Sequence, residues 1–239
     1  MRFRSLPPFG AAAAALFFAA TTPISVNAST IVVPGSLEAV EANGENTIPF
    51  NVPGEQTYQQ IYASSEFGVE PLLLTGMSFR PDDEFGAAFS ETLSDVSIYL
   101  STTTAAVDGL SLDFDDNAGA DNTLVHSGAL SLSSDGVALV FDITIPFTTA
   151  FLYDPALGNL LVWVVNAEGG ATTYFDAISV AGDGVSRVFS FQDGVVADSY
   201  GLVTQFHVAD RAVPEPAALS LIALGLAALG VRRRRRTQA

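Results

Sequence analysis

Between residues 29 and 211 the apolar residues recur with a period of two, and a chain patterned this way buries them by forming strands. Ser94, Val96, Ile98 and Leu100 fall on one face, with Asp95, Ser97, Tyr99 and Ser101 on the other. Leu139, Phe141, Ile143 and Ile145 alternate with Val140, Asp142 and Thr144, and Arg187, Phe189 and Phe191 alternate with Val188 and Ser190. These read as half-buried strands with one wet face. Residues 160–165 (LLVWVV) are apolar on both faces, which predicts a central strand with Trp163 in the core. Further strands are expected over 46–52, 57–63, 72–80, 124–132, 174–180 and 202–208. Clusters rich in Gly, Pro, Asn and Asp separate them, as at Pro53-Gly54, Asp135-Gly136, Asp154-Pro155 and residues 182–184. About ten short strands punctuated this regularly indicate an all-β fold, a single β-sandwich of jelly-roll type over residues 29–211. No sustained helical period and no internal repeat is visible in this stretch.

Composition narrows what such a domain can do. The 239 residues include no cysteine and no lysine, and the formal net charge is −16. Disulfides, thiolate nucleophiles, lysine Schiff bases and the lysine-dependent phosphate loop are therefore excluded. Nucleic acid is excluded as a partner, because neutralising phosphates takes clustered basic residues on the binding face. Residues 29–211 hold 25 acids and only Arg80, Arg187 and Arg211, a net of −22. Self-repulsion at that charge favours an ionic environment. Thermal stability should rise with added NaCl or CaCl₂, and a flat response would remove the idea.

Neither end of the chain shares the strand pattern. Arg2 and Arg4 precede an apolar run over residues 9–20 (FGAAAAALFFAA), and Val26-Asn27-Ala28 fits a small-x-small cleavage site. Residues 1–28 thus read as a signal peptide for the Sec export machinery, cut between Ala28 and Ser29. Residues 217–231 (AALSLIALGLAALGV) are apolar apart from one serine, and Arg232, Arg233, Arg234, Arg235 and Arg236 follow. One C-terminal hydrophobic helix is expected there, about 22 Å long, held by the basic cluster with its end in the cytoplasm. Ahead of it stand Val213, Pro214, Glu215 and Pro216. Two prolines fix φ on both sides of Glu215 and remove two N–H donors, so this stretch stays extended and accessible at the outer membrane surface.

Taken together, the Pro-Glu-Pro core, the apolar segment and the terminal arginines over residues 213–239 resemble a PEP-CTERM sorting signal, a tail also labelled as an ice-binding protein C-terminal domain. The resemblance implies a Gram-negative exported protein, transiently anchored in the inner membrane. Its tail would be recognised and removed by an exosortase, a membrane cysteine protease. Pro214, Glu215 and Pro216 are then recognition residues, and the catalytic groups belong to the exosortase. In the body, Tyr58-Gln59-Gln60-Ile61-Tyr62, residues 74–82 (LTGMSFRPD, from Leu74 to Asp82), Phe151-Leu152-Tyr153-Asp154-Pro155 and Gly158-Asn159-Leu160-Leu161 resemble choice-of-anchor surface modules. That resemblance implies an exported surface domain and names no active site.

The body offers little catalytic chemistry of its own. No Gly-x-Ser-x-Gly elbow occurs. His126 and His207 are each expected inside a strand with a satisfied ring, too far apart in sequence to suggest a histidine-rich metal centre. The segment from Asp113 to Asp121 (DFDDNAGAD) spaces Asp113, Asp115 and Asn117 as calcium-loop ligands, with Asp121 at a further ligand position. The EF-hand match breaks at Ala118, where the turn glycine belongs, and at Leu124, where the bidentate glutamate belongs. The alternative is a solvated acidic loop. Three functions follow: a non-enzymatic structural or adhesive protein of the cell envelope or its exopolysaccharide matrix; a calcium-supported carbohydrate-binding module; and a secreted glycoside hydrolase using paired carboxylates.

Overall fold

A computed structural model describes residues 28–191 and 194–209. The expected signal peptide, apart from Ala28, and the expected sorting signal over residues 213–239 lie outside the described residues. The strands are β1 (Ala28–Val33), β2 (Gly44–Asn46), β3 (Gln56–Tyr62), β4 (Leu72–Phe79), β5 (Phe89–Thr103), β6 (Thr123–Ser134) and β7 (Ile143–Tyr153), followed by β8 (Asn159–Asn166), β9 (Phe175–Ser179), β10 (Val185–Phe191), β11 (Gly194–Asp198), β12 (Tyr200–Leu202) and β13 (Thr204–Ala209). One helical turn, α1 (Phe114–Asn117), interrupts the β5–β6 connection.

The strands form an antiparallel sandwich. A four-stranded sheet, ordered β1-β13-β4-β7, faces a six-stranded sheet, ordered β11-β10-β3-β8-β5-β6, and a small sheet, β12-β9-β2, adds to the core. The core between them follows from the alternation. Leu74, Met77, Phe79, Ile145 and Phe206 point inward from the first sheet, and Tyr58, Tyr62, Ile98, Leu100, Val162 and Val164 from the second. Phenylalanine supplies much of its bulk: Phe50, Phe79 and Phe175 meet pairwise at 5.9 Å, and Phe67 packs edge-on against Tyr153 at 5.0 Å.

Several sequence expectations shift. β1 pairs with β13 from Ala28↔Ala209 to Val33↔Thr204, so the expected cleavage junction Ala28–Ser29 is the start of a strand. Residues 47–52 form a turn after β2 rather than a strand, because Asn46 bonds Ile48 through both its side-chain amide and its carbonyl oxygen. β7 begins only at Ile143; Leu139, at φ 63°, sits in a left-handed turn and breaks the alternation before it. Trp163 is not in the inter-sheet core. Leu160, Val162 and Val164 point inward, so Leu161, Trp163 and Val165 point to the opposite face of the sheet. β8 is apolar on both sides because that opposite face is covered too.

Candidate functional site

The cover is the connection from residue 104 to 122, which crosses the outer face of the six-stranded sheet. Leu110 is buried against Ile61, Leu161 and Val188. Backbone contacts hold it down: Asp108 donates its N–H to Ser186 Oγ at 2.8 Å, and Asn159 Nδ2 donates to the carbonyl of Ala105 at 2.9 Å. Gly119 lies so close to β5 that a Cβ there would fall 1.9 Å from the Thr102 carbonyl oxygen.

The four residues expected as calcium ligands all lie on this connection, and the side chains of three of them have structural partners. Asp113 caps α1, its Oδ1 accepting the Asp115 N–H at 3.1 Å. Asn117 is buried; its Nδ2 donates to Gln59 Oε1 and its Oδ1 accepts the Ser111 N–H at 2.8 Å. Asp121 Oδ1 accepts the Thr102 N–H at 2.8 Å, closing the connection back on β5. Asp115 is exposed. The fold therefore uses Asp113, Asn117 and Asp121 to shape the loop.

Where this cover stops, aromatic rings remain half-open to solvent. Phe114 lies nearly parallel to Trp163, centroids 6.4 Å apart at 15°, and Tyr99 meets Trp163 from the neighbouring strand at 5.7 Å. Gln59, buried beneath, donates to the Phe114 carbonyl at 2.9 Å and so fixes the ring's position. An open cavity of about 580 Å³ lies here, lined by Thr57, Leu112, Asp113, Phe114, Asp115 and Trp163. The groove thus presents flat apolar rings beside carboxylates and a hydroxyl, a surface suited to the apolar face and the hydroxyls of a sugar.

A second cluster lies elsewhere, on residues the sequence does not connect. Among the described residues, Glu41, Asp82 and Asp176 bring carboxylate oxygens within 4.8 Å of one another. Arg80 answers them: its Nη2 lies 2.6 Å from Asp176 Oδ2, its Nε donates to the same oxygen at 2.7 Å, and Nη2 donates to the Val40 carbonyl at 2.6 Å. Both side chains of this pair are wholly buried. Burial raises the Asp176 carboxyl above its ordinary value, against the pull of Arg80. Glu41 is pushed up to about 7, by burial first and by the Asp176 charge second. With Asp176 and Asp83 adding negative charge around it, Glu41 titrates near neutral pH rather than in the ordinary carboxylate range. Asp82 Oδ1 accepts the N–H groups of Glu84 and Phe85, so the acidic run 82–84 is a turn that caps itself.

The histidines divide. His207 is in β13, with Nε2 2.8 Å from Ser78 Oγ, and burial lowers its pKa. His126 is in β6, but its buried Nε2 has no hydrogen-bond partner among the described residues, contrary to the expected satisfied ring. The two lie on different sheets.

The residues that decide the protein's destination lie after β13. Residues 212–236 match the PEP-CTERM protein-sorting motif. The PEP-CTERM motif identifies an exported, envelope-associated protein targeted to an exosortase. No curated protein and no solved structure matches this chain. The function of the PEP-CTERM tail is thus assigned by its own sequence, and that of the sandwich has to be argued from its surface.

Proposed function

We propose that this chain is a non-enzymatic protein of the cell envelope or extracellular matrix, exported by the Sec machinery and anchored for a time in the inner membrane by residues 217–231. An exosortase then removes the tail and releases the β-sandwich as a structural or adhesive module. The matched sorting motif carries this reading. The likeness of the β3, β4 and β7–β8 segments to choice-of-anchor modules supports it. So does a body of net charge −22, which stays soluble and self-repelling in an ionic matrix. Intact mass spectrometry of the exported protein, from cells with and without the exosortase, tests it. The mature mass should lack residues 1–28 and the arginine tail. Replacing Pro214, Glu215 and Pro216 together by alanine should leave the tail in place. Exported protein that keeps its arginines in the presence of the exosortase would end this reading.

The groove at Trp163 favours a second reading, in which the released domain holds a matrix polysaccharide, with or without calcium. Phe114 and Trp163 supply the stacking surface, and Asp113, Asp115 and Thr57 supply polar groups beside it. Glycan-array binding that is lost in Trp163→Ala, with an unchanged far-UV spectrum, is the expected result. Calorimetry with CaCl₂, against an Asp115→Ala control, reports the contribution of calcium. An array with no ligand, or one unaffected by Trp163→Ala, removes the reading. A secreted glycoside hydrolase has the least support, since of the converging carboxylates Asp176 is paired with the buried Arg80, Asp82 caps its own turn and Glu41 accepts the Asp83 N–H.

A further inference from the structure

The chain enters and leaves the sandwich at the same end. Ala28, the first residue of β1, pairs with Ala209, the last of β13. Ala209 pairs in turn with Leu73 at the start of β4, and Leu73 with Leu152 at the end of β7. Leu73 and Leu152 are therefore neighbours on the outer face of the terminal row. Two turns leave from this end: the one before β4, carrying Val69, and the one after β7, carrying Leu157. Among the described residues, Val69 (82% exposed), Leu157 (70%) and Leu152 (63%) are the three most exposed large apolar side chains, ahead of Leu112 at 57%. All three belong to the end from which the tail departs. The opposite end has exposed apolar side chains of its own, Val137 and Val140 in the β6–β7 turn and Phe85 in the β4–β5 turn, but none there exceeds 53%, so what sets the tail end apart is how far its three stand out into solvent.

The length of chain between this end and the apolar segment says what lies opposite it. Seven residues, 210–216, separate Ala209 from Ala217. The eight Cα-to-Cα steps across them reach at most about 28 Å. A domain tied to a bilayer by so short a tether, at the end that carries its most exposed apolar side chains, meets the lipid with that end. We infer that Val69, Leu152 and Leu157 form a membrane-contacting tip, which seats the sandwich on the bilayer holding residues 217–231 until the tail is cut. This rests on the reading of that segment as membrane-embedded. The contact is apolar insertion rather than charge attraction, since the tip turns carry Glu70 and Asp154 and no basic residue.

The absence of cysteine makes the test direct, because single-cysteine variants can be labelled at one place each. Full-length protein carrying Val69→Cys, Leu152→Cys or Leu157→Cys, labelled with an environment-sensitive fluorophore, is reconstituted into phosphatidylcholine vesicles and recovered by flotation. Val137→Cys, in the turn between β6 and β7 at the far end of the four-stranded sheet, is the reference. The expected result is a blue-shifted emission at 69, 152 and 157, with severalfold stronger quenching by spin-labelled lipid than at 137. All four positions are exposed, so the labels are tolerated by the fold, and a far-UV spectrum checks each variant. Floated protein whose labels at 152 and 157 emit as in water, like that at 137, overturns the tip while leaving the embedded tail intact. Failure of the full-length chain to float at all overturns the embedded tail, and the tip with it.

Discussion

The two arginines within the described body make the same kind of bond in opposite settings. Arg80 meets Asp176 where both side chains are wholly sealed from water, with Glu41 and Asp82 adding further negative charge. Arg187 holds Asp198 through two parallel bonds, Nε to Oδ1 at 2.8 Å and Nη2 to Oδ2 at 3.0 Å, but Asp198 keeps a third of its side-chain surface in water. Arg187 is also sandwiched by rings, its guanidinium 4.5 Å from the Phe189 centroid and 4.8 Å from Tyr200. Arg80 is therefore held by charge in a dry place, where losing either partner leaves the other uncompensated. Arg187 is itself buried but is held by geometry and stacking, and its partner Asp198 stays in reach of water, which replaces part of what is lost on that side. In a domain with so few bases, the position of each decides more than its number.

The sharpest way to break this comparison is Arg80→Met. It leaves Asp176 buried beside two more carboxylates, and unfolding free energy should drop by about 3–5 kcal/mol, read by urea denaturation. A loss under ~1 kcal/mol would mean that the centre is wetter than its burial implies. The double variant Arg80→Met with Asp176→Leu should recover part of that loss, though the Ala42 N–H that Asp176 accepts at 3.1 Å then goes unpaired. Arg187→Met keeps an apolar stem against Phe189 and Tyr200, and should cost about 1–2 kcal/mol. A loss as large as that of Arg80→Met would erase the distinction between the two sites.

The smallest effect concerns pH. Glu41 is raised from its ordinary 4.5 to about 7 in the folded protein. A carboxyl that binds its proton more tightly when folded stabilises the fold fully below 4.5, and that contribution is lost as pH rises through 7. Glu41→Gln keeps an oxygen to accept the Asp83 N–H and removes the charge. It should therefore raise the melting temperature at pH 8, leave it unchanged near pH 4, and flatten the curve between. An unaltered pH profile would show that Glu41 carries no extra proton.

Much of the architecture was legible from alternation alone. β5 and β10 fall where the period-two pattern places them, because burial of one face imposes that pattern on a strand, and β8 falls where a run apolar on both faces places it. β1 and the short β11 and β12 escaped, since edge and three-residue strands carry too few buried positions to show a period. Trp163 was assigned to the wrong side for a definite reason. When both faces of a strand are apolar, the pattern marks two sets of residues without saying which set faces the other sheet. The cover over the outer face, which makes that set apolar, is itself an irregular connection with no periodicity to read. The groove could have been suspected from Phe114 alone, an aromatic inside an otherwise acidic loop.

What the sequence determined unaided is that the protein is exported and targeted to an exosortase: the sorting motif over residues 212–236 is contiguous, so it is legible in linear order without any fold. The tertiary structure alone decided which charges meet. Glu41, Arg80 and Asp176 lie up to 135 positions apart, and only strand register brings them to one place, where burial holds a proton on a carboxylate that would lose it in water.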